Sequence, residues 1–168
     1  EMTGLEPEHD LIIEIATVIT DGELNTLAEG PVFAVKQPDE ALAAMDEWNT
    51  THHNASGLVA RIRKSEHSIA DAEVVTLEFL RKYVEEGKAT LCGNSIWCDR
   101  KFIERQMPEL AAYLHYRMVD VSSFKEMVKR WYPTLPRYEK KGTHLALDDI
   151  LESIEELRYF RENIFTQD

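Results

Sequence analysis

Cysteine is close to absent from this chain: Cys92 and Cys98 are the whole complement in 168 residues. Two thiols so placed have neither the number nor the spacing of a disulfide framework or a structural zinc site. A reducing, cytoplasmic setting follows as the default, and both thiols are expected to pack as small buried hydrophobes. Long apolar runs are missing as well. Nothing approaches the ~20 residues that a membrane span needs, and no signal-peptide pattern opens the sequence, so no membrane partner is expected. Internal repeats, linkers and low-complexity segments are lacking too. Positive charge is the most informative shortage: 19 Lys and Arg stand against 31 Asp and Glu, a net charge of −12. Such a chain repels a long polyanion and cannot gain from counterion release over many phosphates. It is therefore a poor candidate for coating long DNA or RNA. A short phosphate-bearing ligand remains possible if metal ions and a few local donors offset the charge.

What is present suits one domain with a sizeable core. Leu11 to Thr20 is rich in β-branched residues and reads as a strand. Asp21-Gly22 signals a hairpin, with further strands expected near Leu24 to Ala28 and Pro31 to Lys36. Asp39 to Glu47 reads as a helix ending near Trp48, and the polar run Asn49 to Asn54 as a loop holding His52 and His53. A short helix is expected over Leu58 to Lys64. Ser68, with Asp71 three residues on, resembles a capping box opening a helix that stops at Gly87. Its core candidates are Val75, Leu77, Phe79, Leu80 and Val84. Ala89 to Cys92 reads as a short strand, and Ile96 to Met107 as a helix broken by Pro108. Arg117 to Val121 reads as a last strand. Ser122 is expected to cap a helix ending before Pro133, and the final helix runs from His144 to about Asn163. An antiparallel N-terminal meander, followed by strands alternating with helices, implies a mixed β-sheet flanked by helices. Ligands in such α/β sheets bind at the carboxyl ends of the parallel strands.

Three stretches carry candidate chemistry. In Gly142-Thr143-His144-Leu145-Ala146-Leu147-Asp148-Asp149, a histidine stands five residues ahead of a carboxylate at the mouth of an amphipathic helix. Thr143 is the expected N-cap, and the acids suit the helix dipole. Leu147, Ile150, Leu151, Ile154 and Leu157 recur at helical spacing as the expected buried stripe. A histidine that takes a proton near neutral pH, beside a carboxylate that can hold a metal, can activate a water. Helical geometry alone favours Asp148, four residues on, as the neighbour of His144. Asp99 is the second stretch: Ile96, Phe102 and Ile103 place it on the apolar face of its helix, where a carboxylate needs either a salt bridge or a metal. Glu1 is the third, unremarkable by itself.

Taken together, several segments closely resemble the oligoribonuclease family. They are Glu-Met-Thr-Gly-Leu at 1–5, Cys-Gly-Asn-Ser-Ile-Trp-Cys-Asp at 92–99, Tyr-Arg-Met-Val-Asp-Val-Ser at 116–122 and Gly-Thr-His-Leu-Ala-Leu-Asp-Asp at 142–149. Met45-Asp46-Glu47-Trp48-Asn49 and Ala55-Ser56-Gly57-Leu58 look like it too, and the resemblance runs through the whole chain in order. The family belongs to the DEDDh group of 3′-to-5′ exonucleases. The resemblance implies an RNase H-like fold and a single exonuclease domain over 1–168. The family pattern has an Asp two residues before Glu1, and that Asp and its strand are expected upstream of Glu1.

By the same resemblance Glu1, Asp99 and Asp149 fall on metal-ligand positions and His144 on the general base. All-oxygen carboxylate ligands suit two Mg²⁺ or Mn²⁺ ions. Ser95, Arg117 and Ser122 look like the family's 5′-phosphate contacts. Leu5 resembles a residue that wedges between bases, and Trp48 and His53 resemble the lining of a base pocket. Tyr116 matches a tyrosine that reaches the partner subunit's active site, implying a homodimer. The implied activity is cleavage of short oligoribonucleotides, above all dinucleotides, to nucleoside 5′-monophosphates. A proofreading-type exonuclease on longer DNA and an inactive dinucleotide-binding module are the alternatives. No role is assigned to His9, His52, His67 or His115.

Overall fold

A computed structural model describes residues 1–139 and 145–165. Its strands are short: β1 (Glu14–Ile15), β2 (Val18–Thr20), β3 (Thr26–Glu29), β4 (Phe33–Ala34), β5 (Leu91–Gly93) and β6 (Met118–Asp120). The helices are α1 (Asp39–Ala43), α2 (Glu47–Ala55), α3 (Leu58–Lys64), α4 (Ile69–Leu80), α5 (Ile96–Gln106), α6 (Pro108–Tyr113), α7 (Val121–Trp131) and α8 (Ala146–Ile164). The fold is mixed α/β, with antiparallel N-terminal strands and a parallel β5–β6 pair, consistent with the RNase H-like exonuclease domain that the sequence implies.

The N-terminal strands are not a simple meander. The expected Leu11–Thr20 strand is interrupted after Ile15, and β2 pairs with β3 across a register shift at Ile19 and Thr20. The strand β4 returns to β1, pairing Glu14 with Ala34 and Ile15 with Phe33. On the other edge, Met2 bridges Ile12, and the amides of Thr3 and Ile13 donate to Leu11 and Glu1 at 2.9 Å. Residues 11–15 are thus bonded on both sides. The pleat sends Ile12 into the main core with Phe102, Met107 and Leu77, and Ile13 into a second core with Leu42, Leu58 and Ile62.

Several expectations are corrected. Residues 49–54 are helix, because the Asp46 carboxylate caps α2 by accepting the Asn49 amide at 2.7 Å. Pro108 starts α6 rather than only ending α5, as suits a residue with no amide proton to bond. Asp120 and not Ser122 caps α7, its carboxylate accepting the Ser122 amide at 2.9 Å. The Ser68–Asp71 capping box and the Leu58–Lys64 helix are as expected. Of the two thiols Cys98 is buried, whereas Cys92 is exposed.

Candidate active site

Glu1 and Asp99, far apart in sequence, lie close enough for their charges to interact. The backbone carbonyl of Glu1 accepts from Ile13, and its amino group donates to Glu14 at 2.8 Å, so Glu1 is registered against the start of β1. Gly4 makes the turn behind it possible. A Cβ there would lie 2.3 Å from Asp10, whose carboxylate accepts from Thr3 Oγ1 and the Glu6 amide at 2.9 Å each. Asp99 rides the first turn of α5, half-buried beside Ile96, Phe102 and Ile103. Burial pushes its carboxyl above the usual range, and the negative charges of Glu1 and Asp120 push the same way, against the pull of the α-amino group. No arginine or lysine among the described residues is paired with Asp99. Among the described residues the salt-bridge alternative finds no partner, and the spot is rich in acids.

Asp149 lies in the first turn of α8. The buried residues of that helix are Ala146, Ser153, Glu156 and Phe160, not the leucine and isoleucine stripe expected from the sequence. Those leucines and isoleucines are only half-buried. Asp149 falls between Ala146 and Ser153 at helical spacing, so it shares the inward stripe, which favours it over Asp148 as the residue facing the body. No side chain of its own cap starts the helix. Instead the Ala146 amide donates to Glu14 Oε2 at 3.1 Å, while Arg61 donates to Glu14 Oε1 at 2.5 Å. Glu14 therefore touches both sides of the site: its backbone holds Glu1 and its side chain holds α8. Sequence reading missed it; the signal was a lone acid in an apolar strand. His144 and Thr143 lie outside the described residues, so the histidine's position and the proposed cap are not part of this geometry. Among the described residues no three His, Cys, Asp or Glu side chains converge closely enough to hold a metal ion. The donor chemistry around Asp99 nevertheless fits one: the neighbouring acids Glu1 and Asp120 offer carboxylate oxygens, the Asp99 carboxyl is held above its usual pKa by burial, and no side-chain cation among the described residues is paired with it.

At the carboxyl ends of the parallel pair β5–β6, Ser95 takes a left-handed backbone with φ 52°. A non-glycine residue there is costly by about 1 kcal/mol. It is held by its amide, which donates to Asp120 Oδ1 at 2.9 Å and Ser122 Oγ at 3.0 Å. The hydroxyls of Ser95 and Ser122 are 3.2 Å apart. These two predicted phosphate contacts thus meet, while Arg117, one residue before β6, stacks its guanidinium 5.4 Å from the Tyr116 ring centroid. Asp120 and Asn94 also build this loop, and the sequence did not single them out.

The remaining candidates are spread wider. Leu5 and Tyr116 are each 72% exposed, so neither is core. Tyr116 stacks on His115 at 4.4 Å. Trp48 is also exposed and stacks on His52, ring centroids 4.0 Å apart, so His52 has a role as its platform. His53 is 1% exposed, and neither ring nitrogen has a hydrogen-bonding partner. Burial holds its pKa below the ordinary value, and the Glu1 carboxylate pulls it back up, which puts the ring beside the Glu1 stretch.

Comparison with known proteins shows the family. The exonuclease family model RNase_T matches residues 1–157. The chain is 59% identical to the oligoribonuclease of Vibrio parahaemolyticus over 98% of its own length and 92% of that protein's. It is 60% identical to the oligoribonucleases of Alcanivorax borkumensis and Pseudomonas syringae pv. tomato, in each case over 97% of the chain and 91% of the relative. With a mixed α/β fold and likeness along nearly its entire length, the chain belongs to the oligoribonuclease family of metal-dependent exonucleases.

Proposed function

We propose that this chain is a 3′-to-5′ exoribonuclease that cuts very short oligoribonucleotides, above all dinucleotides, to nucleoside 5′-monophosphates. The observation that carries the reading is the Asp99 carboxyl, raised by burial beside Glu1 with no paired side-chain cation among the described residues, in a chain about 60% identical to oligoribonucleases. Glu1, Asp99 and Asp149 would hold two divalent ions, Mg²⁺ or Mn²⁺. When bound, such a pair stabilises the attacking and leaving oxygens of an in-line displacement at phosphorus. His144 takes the proton of the attacking water. Ser95, Ser122 and Arg117 bind the 5′-phosphate, the serines through hydroxyl donors and Arg117 through a bidentate fork. Leu5 wedges between the two bases, Trp48 offers a stacking face, and His53 backs the pocket from beneath the Glu1 stretch. Tyr116, exposed at the rim, reaches across a homodimer to the partner subunit's site. All these residues fall within one exonuclease domain.

Closure over both ends of a dinucleotide also answers the charge problem. Two metal ions and a few donors offset two phosphates, whereas a net charge of −12 gives a longer strand nothing to lie along. The test is incubation with Mg²⁺ and either a 5′-phosphorylated dinucleotide or a twenty-mer, following mononucleotide release. Faster turnover of the dinucleotide is expected. Preference for the twenty-mer would assign a proofreading-type activity instead. Binding without turnover would leave a binding module.

A further inference from the structure

One side chain joins the proposed phosphate pocket to the helix of Asp149. Asn94 Oδ1 accepts from Ser122 Oγ and from Lys125 Nζ, both at 3.2 Å. Asn94 Nδ2 donates to Ser153 Oγ at 2.9 Å and to Glu156 Oε2 at 3.0 Å. Ser153 Oγ then donates to the backbone carbonyl of Asp149 at 2.7 Å. The amide orientation is fixed by charge. Flipped, it would turn its NH₂ toward the Lys125 ammonium and its carbonyl toward the buried Glu156 carboxylate. Lys125 and Glu156 are themselves paired at 3.1 Å, which closes the ring. The hydroxyl protons then run one way: Ser95 to Ser122, Ser122 to Asn94, and from the Asn94 amide through Ser153 to Asp149.

A hydroxyl has one proton to give. When Ser122 gives its proton to a phosphate oxygen, Asn94 Oδ1 loses that donor and keeps Lys125. The amide and the helix behind it then settle differently with phosphate than without. That differential interaction is what coupling between two sites requires. We propose that Asn94 is a positioning residue linking 5′-phosphate occupancy at Ser95 and Ser122 to the placement of Asp149, so that a 5′-phosphate speeds cleavage as well as binding. The inference rests on the assignments made above for the phosphate pocket and for Asp149.

Two variants cut the link from different sides. Asn94→Asp keeps the acceptor toward Ser122 but sets a carboxylate against Glu156. Ser153→Ala removes the last step while leaving Asn94 and all phosphate contacts in place. In each, the kcat ratio between 5′-phosphorylated and 5′-hydroxyl dinucleotide is expected to fall about five- to tenfold. The second readout needs no turnover. In EDTA, hydrogen exchange across residues 146–153 should slow when 5′-phosphorylated dinucleotide is added to the wild type. It should slow less with the 5′-hydroxyl form, and the difference should vanish in Ser153→Ala. An unchanged kcat ratio in Ser153→Ala, or wild-type exchange that does not respond to the 5′-phosphate, overturns the proposal. A wild type that hydrolyses neither dinucleotide overturns the functional reading instead, whatever the exchange data show.

Discussion

Replacing Glu14 should loosen the start of α8 more than any other single change near the site. Its side chain is 1% exposed, and it accepts from both Arg61 and the Ala146 amide. A hydrogen bond to a charged group contributes about 1.5–3 kcal/mol, and a carboxylate at a helix N-terminus adds about 0.3–2 kcal/mol. The Arg61 side chain is 42% exposed, so on losing its partner it regains water and its share lies at the low end. Glu14→Ala should therefore cost about 3–4 kcal/mol, read as a lower urea midpoint with an unchanged slope. Glu14→Gln keeps the size and one carbonyl acceptor for Ala146 but loses the charge, and should cost roughly half as much. Hydrogen exchange at the Ala146 amide should rise in the same order. An alanine variant within about 0.5 kcal/mol of the wild type, the ordinary scatter of surface changes, would refute the reasoning. So would a glutamine variant as damaged as the alanine one, since then the acceptor for Ala146 would count for nothing.

Asp99→Asn should abolish nuclease activity yet leave the metal-free protein at least as stable at neutral pH in thermal melts, because the carboxyl is held above its usual pKa by burial. The sign follows from linkage: a raised folded-state pKa means that stability falls as pH climbs from the unfolded value of 3.8 through the folded one, and the asparagine should remove that slope. Gly4→Ala should cost about 1–3 kcal/mol in urea unfolding, because the new methyl must displace an Asp10 carboxylate pinned by Thr3 and Glu6. Ser68 holds the Asp71 carboxylate below its ordinary pKa by side-chain and backbone hydrogen bonds. The stabilisation lost in Asp71→Asn should therefore be full above pH 3.8 and shrink as pH falls through the lower folded value, as followed by melts across that range.

Local signals were legible where one short segment settles the outcome. The Ser68–Asp71 box needs only its own four residues, and α3 needs only its own periodicity. The loop expected at 49–54 failed because the Asn, Thr and His run is a weak helix former, and a single cap at Asp46 outweighs that tendency. Ser122 was a sound candidate for a cap, but the neighbouring Asp120 carboxylate is placed to take both the Ser122 and Ser95 amides.

By itself the sequence determined the α/β class, the shortage of positive charge that argues against a long nucleic-acid groove, and a family likeness spread along the whole chain. Each of these is written in composition, or in segments that keep their meaning apart from the rest. Only the tertiary structure decided which face of α8 is buried, that Glu14 caps it from a strand far away in the chain, and that Asn94 stands between the Ser122 hydroxyl and Asp149. The buried stripe of α8 includes Ser153 and Glu156, which hydropathy assigns to solvent. What makes them inward residues is partners on α7 and the loop after β5, and such pairing exists only once the chain has folded.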